Sequence, residues 1–382
     1  MRGPFLVVVL LAAAGAGAWW WPSNPAHAIS VALAVLIVTC PCALSLATPA
    51  ATLAAAGALA RRGVLVRTLQ ALEVAAGVDT VVFDKTGTLT GERMRVVSGT
   101  QRPGVGFDEA LVLAAALARH SLHPASLAIL ERAPAQPLAA TGVTLLPGQG
   151  LSAEVVPIGG GAARRLWLGS ASLCRAATAA GMQSASQVHL ADAQGWLASF
   201  VLDEALRGDS APAVQALRAM GIAMALRSGD NAGAVAGVAR SAGIDDAQGA
   251  CSPQDKLAHV ATLQGAGAHV AMVGDGMNDA AVLARADVSV AMGQAVAAAR
   301  SKADFVLMGS AIAAVPMLLK QARRTRTVIR QNLAWAALYN LVCVPLAVMG
   351  QMPPWLAGLG MAASSLFVVL NSARLARLPP EL

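Results

Sequence analysis

Asp84 opens the string Asp84-Lys85-Thr86-Gly87-Thr88-Leu89-Thr90, directly after the β-branched and aromatic run Val81-Val82-Phe83. A carboxylate there can attack a γ-phosphoryl group and hold it as an acyl-phosphate, dividing one difficult displacement into two easier ones. The transferred group is highly anionic, so such a site needs Mg²⁺ and fixed cations more than an acid or a base. Gly274-Asp275-Gly276-Met277-Asn278-Asp279 offers two carboxylates four residues apart, hard oxygen donors of the kind Mg²⁺ takes. Lys256, in Ser252-Pro253-Gln254-Asp255-Lys256, is a point charge suited to phosphate. Ser228, in Ser228-Gly229-Asp230-Asn231, is a hydroxyl donor. Taken singly, a Gly-Asp turn or a lone lysine is usually just solvated. Four such elements in this order argue against that reading.

A second constellation is Cys40-Pro41-Cys42, deep in an apolar run. Ionisable side chains at such depth are costly and mark a pathway, and two thiolates favour a soft ion such as Cu(I). Pro41 cannot donate an i→i−4 hydrogen bond, so the helix is expected to loosen there and free a carbonyl near the thiols. Cysteine is also a common small buried hydrophobe. Two of them around a proline, followed by Ala-Leu-Ser-Leu-Ala-Thr-Pro at 43–49, argue against that alternative.

The elements that must position these groups follow from periodicity and composition. Gly221-Ile222-Ala223-Met224-Ala225-Leu226 leads to Ser228, and His269-Val270-Ala271-Met272-Val273 leads to Gly274-Asp275. Alanine-rich, helix-like stretches separate these runs, so the pattern is βαβ and the sheet parallel, a doubly wound α/β domain. Nucleophiles and ligands then sit at the C-terminal ends of strands. The chain is 56% hydrophobic and 13% charged, against about 25% charged in soluble domains. Part of it therefore belongs in a lipid bilayer. Four apolar runs, near 4–21, 27–49, 331–350 and 354–373, approach the roughly 20 residues that cross a membrane. The first also reads as a secretory signal peptide, which the Trp19-Trp20-Trp21 belt disfavours.

Arg61, Arg62, Arg67, Lys320, Arg323, Arg324, Arg326, Arg330, Arg374 and Arg377 flank these runs, whereas the short loops between paired spans lack Lys and Arg. The positive-inside rule then places both termini and the 60–325 region in the cytoplasm. The formal charge of +7 is largely this arginine, and no interleaved basic and aromatic pattern suggests nucleic acid. Five scattered cysteines, at 40, 42, 174, 251 and 343, argue against a disulfide framework.

The string Asp84-Lys85-Thr86-Gly87-Thr88 resembles the phosphorylation motif of P-type ATPases within the haloacid-dehalogenase-like superfamily. Ser121-Leu122-His123-Pro124 and Gly148-Gln149-Gly150 resemble the nucleotide-binding elements of the heavy-metal branch, and Cys40-Pro41-Cys42 its metal-binding span. The resemblance covers almost all of residues 1–375. It implies ATP and Mg²⁺ as cofactors, with Asp84 the nucleophile and Lys85 beside it. Asp84, the Thr86 carbonyl, Asp275 and Asp279 would hold Mg²⁺. Ser228, Lys256 and Asn278 would contact phosphoryl oxygens, with His123, Gly148, Gly150, Gly229 and Asp230 around the nucleotide. Family members usually carry Glu at the positions of Leu122 and Ala118 and Asn at that of Ser170, so weak ATP binding is expected.

Tyr339-Asn340 and Met361-x-x-Ser364-Ser365 resemble the spans of Cu(I) and Ag(I) pumps. They add Tyr339, Asn340, Met361 and Ser365 to Cys40 and Cys42 as transport ligands. Zinc and cadmium pumps tend to place Lys and Asp there. Cys343 shares a helical face with Tyr339 and Asn340 and is either a third thiol or a packing residue. Ser228 in place of Thr and the run 190–195 resemble the subgroup that supplies copper for cytochrome oxidase assembly.

The expected organisation is two spans at 1–58, a phosphorylation domain in two pieces at 77–95 and 201–312, an inserted α+β nucleotide-binding domain at 96–200, and two spans at 325–375. The family pattern begins earlier, with further spans and an actuator domain carrying a Thr-Gly-Glu loop ahead of the Cys-Pro-Cys span; the Thr-Gly-Glu of this sequence, at 90–92, follows the Asp84 string and is not that loop. Met1 therefore reads as the start of a fragment, a truncated frame or half of a split pump. Two hypotheses follow. One is an ATP-driven exporter of Cu(I) or Ag(I) in the bacterial inner membrane, completed by a second part and supplied by a cytoplasmic copper donor. The other is a remnant that binds ATP and metal without turnover. A soluble phosphatase fails on the apolar spans and the insertion.

Overall fold

The computed structural model describes residues 2–40, 42–135, 138–156, 162–175, 186–230, 232–275, 280–293, 302–309 and 311–377. The chain forms two compact units, one of residues 1–79, 287–293 and 303–382, the other of 80–286 and 294–302. Elements are numbered in chain order.

In the second unit, β2 (Thr80–Phe83) lies between β11 (Val270–Gly274) and β9 (Ala223–Arg227), and β9 pairs with β10 (Asp246–Gln248); every pairing is parallel. All four residues of β2 and all five of β11 are buried. Continuous apolar runs of this kind belong to parallel strands covered on both faces. Helices α8 (Ser210–Ala219), α9 (Ala232–Ala242) and α10 (Pro253–Gly265) alternate with the strands, as the βαβ pattern predicts. The start of α10 is written locally. The Ser252 hydroxyl accepts from the Asp255 amide, the Asp255 carboxylate accepts from the Ser252 amide, and Pro253 takes the first turn. That cap fixes where Lys256 emerges.

Between β2 and β9 the same unit carries a six-stranded sheet in the order β3-β8-β7-β6-β5-β4. Its strands are β3 (Thr90–Gln101), β4 (Ala140–Leu146), β5 (Gly150–Val155), β6 (Arg164–Gly169), β7 (Ser186–Asp192) and β8 (Gly195–Leu206), all paired antiparallel. Helices α5 (Phe107–Ala118) and α6 (Pro124–Arg132) share its core. Nine consecutive residues of α5, Ala110–Ala118, are buried. A helix apolar all round is an interior helix, and alanine lets its neighbours approach closely. The sheet runs beyond the expected 96–200 at both ends, because β3 and β8 pair from Thr90–Leu206 onward. The expected α/β fold with an inserted α+β domain is the fold observed.

In the first unit, α1 (Arg2–Trp20), α2 (Pro25–Val38), α3 (Cys42–Ala60), α12 (Ala314–Val348) and α13 (Pro354–Ala373) accompany β1 (Val64–Val66), β12 (Val288–Met292) and β13 (Phe305–Leu307). Among the described residues, three segments are long and apolar enough to cross a membrane: Pro25–Ala60, Ala314–Val348 and Pro354–Ala376, of 36, 35 and 23 residues; Val7–Trp20 is a shorter apolar helix. The span expected at 27–49 differs. It stops at Val38, leaves Thr39 and Cys40 outside the helix, and resumes at Cys42 as far as Ala60. A proline next in sequence disfavours helix at the preceding residue and removes a donor, which explains a break at this point. Pro41 itself lies outside the described residues. Small residues line the helix contacts, with Ala13, Ala16, Ala34 and Ala357 buried in one cluster, as close helix packing in lipid requires.

Candidate active site and metal-binding region

Asp84 leaves the end of β2 with 5% of its surface exposed, its amide donating to the Val273 carbonyl at 2.9 Å. Lys256, equally buried, places Nζ 2.6 Å from Asp84 Oδ1. The following loop turns at Gly87, whose φ of +66° is the left-handed region that favours glycine. A Cβ on Gly87 would stand 3.0 Å from Asp275 Oδ2. Glycine thus lets the Asp275 carboxylate rest against the loop that carries Asp84. Ser228, 2% exposed, follows β9, and its hydroxyl accepts from the Asp230 amide at 3.2 Å. Gly229 completes that turn. Asp84, Lys256 and Asp275 are therefore gathered at the C-terminal ends of parallel strands, where the sequence placed them, with Ser228 at the end of the neighbouring strand. Asn278 and Asp279 lie outside the described residues.

Two predicted residues are placed otherwise. Lys85 is 3% exposed and pairs with Asp230 at 2.6 Å and Glu204 at 3.4 Å, so its ammonium braces the loop. Burial by itself would lower the Lys85 pKa, but the Asp230 hydrogen bond and the charges of Glu204 and Asp230 outweigh it and raise the value. Burial would raise the Asp230 pKa; Lys85, with smaller contributions from Thr86 and Ser228, holds it below the ordinary carboxylate value. Asp230, expected beside the nucleotide, is held by Lys85 and by the Thr86 hydroxyl at 3.2 Å. Glu204, which also accepts from the Thr90 hydroxyl, escaped the sequence reading. Its role comes from strand pairing across 114 residues, and no local pattern marks it.

A cavity of about 330 Å³ in the antiparallel part is lined by Ser121, His123 and Ser126, by the Leu145–Leu151 turn without Pro147, and by Leu168, Gly169, Ser170, Gln187 and Val188, among others. His123 caps α6, its Nδ1 accepting from the Ala125 amide at 3.2 Å. The proton of the neutral ring is then on Nε2, which makes that nitrogen a donor. His123, Gly148 and Gly150 thus share one cavity. Leu122 is 91% exposed and Ala118 is buried in α5; neither lines it. Ser170 lines it, with its hydroxyl engaged by the Leu173 amide and Ser172. No carboxylate, lysine or arginine is found among the described lining residues.

Gly150 has φ of +147°, and a Cβ there would run into the Leu168 carbonyl, while one on Gly169 would meet the Gln149 carbonyl. This Gly–Gly crossing brings the 147–150 turn onto β6. Gly150→Ala is expected to destabilise the antiparallel part by roughly 1–3 kcal/mol and to weaken nucleotide binding. Thermal unfolding together with nucleotide titration checks this, and an unchanged midpoint would refute the crossing.

In the first unit a small cavity is lined by Cys40, Ala43, Leu44, Ala336, Tyr339, Asn340, Met361 and Ser364. Cys40 and Cys42, expected as free thiols, are joined by a disulfide here, their Cα atoms being 5.6 Å apart and so within disulfide reach. Four predicted ligands, Cys40, Tyr339, Asn340 and Met361, therefore converge, and Cys42 adjoins them. Ser364, rather than the predicted Ser365, faces the cavity; it is buried and accepts from Trp335 Nε1 at 3.1 Å. Spacing was the available signal, since Met361 and Ser364 are three apart and share a helical face. Cys343 does not line this cavity and packs against the cluster containing Ala13, Val31 and Ala347.

A buried carboxylate at the end of a parallel strand, paired with a lysine and followed by a loop against which a second carboxylate rests, suits attack on an electrophilic group with departure of an anion. The chain belongs to the haloacid dehalogenase-like hydrolases, whose family model matches residues 78–287. It is also similar to P-type ATPases. It is 38% identical over 356 residues to the "Copper-exporting P-type ATPase" of Mycobacterium tuberculosis, covering 92% of this chain and 47% of that protein. It is 40% identical over 353 residues to the "Nitrogen fixation protein FixI" of Rhizobium leguminosarum bv. viciae, covering 91% of this chain and 45% of that one. Among solved structures it superposes on a zinc-transporting PIB-type ATPase in its E2.Pi state with a TM-score of 0.81 and 29% identity. That match covers 98% of this chain and 62% of the other. The chain spans about half the length of the curated relatives it matches.

Proposed function

We propose that this chain is the phosphorylating, nucleotide-binding and C-terminal membrane part of a P-type ATPase that exports Cu(I), or the chemically similar Ag(I), from the cytoplasm. The observation that carries the reading is the buried Asp84–Lys256 pair at the end of β2, 2.6 Å apart, beside Asp275. ATP enters the 330 Å³ cavity with its base near His123 and the glycine turn. Asp84 attacks the γ-phosphorus, the bond to the bridging oxygen breaks, and ADP leaves. Lys256 moves from the carboxylate to the phosphoryl oxygens, where charge develops. Ser228 donates a hydrogen bond to the same oxygens.

The oxygen donors of Asp84, Thr86 and Asp275 fit Mg²⁺, a hard cation. They would hold it together with Asp279, and it would neutralise phosphate charge. Lys85 and Asp230 keep the loop in shape throughout. Hydrolysis of the acyl-phosphate and coupling to transport require the remainder of a full-length pump.

The cargo is assigned from donor softness. Cys40, the Met361 thioether and neutral Tyr339, Asn340 and Ser364 around one cavity, with Cys42 adjoining it, suit a soft monovalent ion once the Cys40–Cys42 pair is reduced to thiolates. No charged residue occurs in 331–372, whereas a divalent ion would need anionic compensation. Both termini and the unit carrying Asp84 are assigned to the cytoplasm by the arginine distribution. Competition for Cu(I) against a chromogenic chelator tests the cargo in the detergent-solubilised chain. Cys40→Ser and Cys42→Ser should each lose at least about tenfold in affinity, the order expected for a lost soft ligand. Cys174→Ser should bind as wild type, since burial pushes that cytoplasmic thiol up to about 11. Equal Cu(I) affinity in all three variants would sink the assignment.

The nucleotide reading has its own test. Residues 90–206 form one antiparallel sheet with its own core, and that segment is expected to fold alone and bind ATP weakly. Millimolar ATP should perturb the His123 and Gly150 resonances; unmoved resonances would reduce both motifs to structural turns.

A further inference from the structure

Three apolar helices, α3, α12 and α13, bring arginines to one place. Beyond α13 the chain turns at 374–376, and three side chains donate to the carbonyls of residues 375, 376 and 377. Arg61 Nη2 reaches the Ala376 carbonyl at 2.7 Å, Gln321 Nε2 the Leu375 carbonyl at 2.9 Å, and Arg324 Nη1 the Arg377 carbonyl at 2.7 Å. Arg374 donates to Asn371, three residues back in α13, at 3.0 Å. Arg61, Arg374 and Arg377 are exposed.

These contacts satisfy helix-end carbonyls without neutralising charge. Among the described residues, none of the ion pairs involves Arg61, Arg324, Arg374 or Arg377. The helix C-terminus contributes only about half a negative charge against four guanidinium groups. Each guanidinium has five donors in a fixed fork matched to phosphate oxygens, and most of these donors remain unused. On the α13 surface leading to this cluster, Leu366, Val369 and Leu370 are 58%, 44% and 60% exposed. A charged cluster at the end of an exposed apolar helix face has the two-part chemistry of a phospholipid, with a headgroup next to its acyl chains.

We propose that the arginines around the end of α13 bind the phosphodiester headgroup of an anionic phospholipid, whose acyl chains lie along Leu366, Val369 and Leu370. Arg324 and Arg61 hold the turn and present its face, while Arg374 and Arg377 supply unengaged donors to the phosphate. Because these groups lie just beyond the apolar length of α3 and α13, they stand at headgroup depth.

The test uses the whole chain, offered phosphatidylglycerol and phosphatidylcholine of equal chain length and followed by native mass spectrometry. The variants are Arg374→Gln and Arg377→Gln, which remove no contact between helices. The anionic lipid should be retained over the zwitterionic one, and the double variant should lose roughly thirtyfold of that preference, as two interfacial charges predict. Arg165→Gln, an exposed arginine on β6, should leave it unchanged. Equal retention of the two lipids, or a double variant indistinguishable from wild type, would overturn the proposal. Millimolar inorganic phosphate that displaces the lipid completely would overturn it too, by reducing the cluster to a bare anion site.

Discussion

Asp84→Asn is expected to abolish the phosphorylated form of the protein. Incubation with radiolabelled ATP and Mg²⁺ should give the wild type an acid-stable, hydroxylamine-labile adduct, the signature of an acyl-phosphate. The amide should reduce that adduct by about 10⁴-fold or more, the scale on which removal of a nucleophile acts. The structure makes this substitution informative. Asparagine matches aspartate in size, so β2 and the Gly87 turn keep their packing, and the amide oxygen still accepts from Lys256, now 2.6 Å from Oδ1. Folding should therefore survive while the chemistry does not. An adduct that persists in Asp84→Asn would move the nucleophile elsewhere and remove the basis of the mechanism.

Replacing Lys256 by methionine carries the second large effect, and it appears in two measurements. Phosphorylation should slow by roughly 10²-fold or more, because a preorganised cation aimed at developing charge is lost. The nucleotide cavity is lined by other residues, so the KM for ATP should move much less than kcat. The folded state should weaken as well. Asp84 would keep its buried carboxylate but lose the Lys256 ammonium, and removing one member of a buried pair costs about 3–5 kcal/mol. The double variant Asp84→Asn/Lys256→Met removes that buried charge as well and should unfold at a higher temperature than Lys256→Met alone. Simple additivity of the two substitutions would show that the pair is not coupled in the fold.

Local chemistry made much of this molecule legible before any coordinates. Asp84 after Val81-Val82-Phe83, and Asp275 after the run ending at Val273, are strand-end positions written in a few consecutive residues. The capping box that launches Lys256 is just as local, with Ser252, Pro253 and Asp255 acting on backbone groups within one turn, although the structure was needed to name it. The alternation of such runs with alanine-rich stretches sufficed for a parallel α/β sheet. The long apolar segments sufficed for helices of membrane length, since hydrocarbon thickness sets a minimum that composition reveals.

What escaped the sequence depends on groups brought together from far apart. Lys85 and Asp84 are adjacent in the chain, yet their side chains serve different partners. Asp84 meets Lys256, while Lys85 turns to Asp230 and Glu204. No window around Lys85 contains Glu204, because β8 returns beside β3 only after the whole antiparallel sheet has been laid down. Ser364 took the place expected of Ser365 because a helix turns by about 100° per residue, and only the packing of α13 against α3 and α12 selects the face. The arginines at the end of α13 read as topology markers in sequence, and only the return of three helices to one point makes them a cluster. Sequence by itself determined the chemistry available and the strands and helices that present it, because those follow from neighbours within a turn or a strand. Tertiary structure alone decided which charges pair and which remain unpaired, because Coulomb and hydrogen-bond energies depend on distances that sequence separation does not measure.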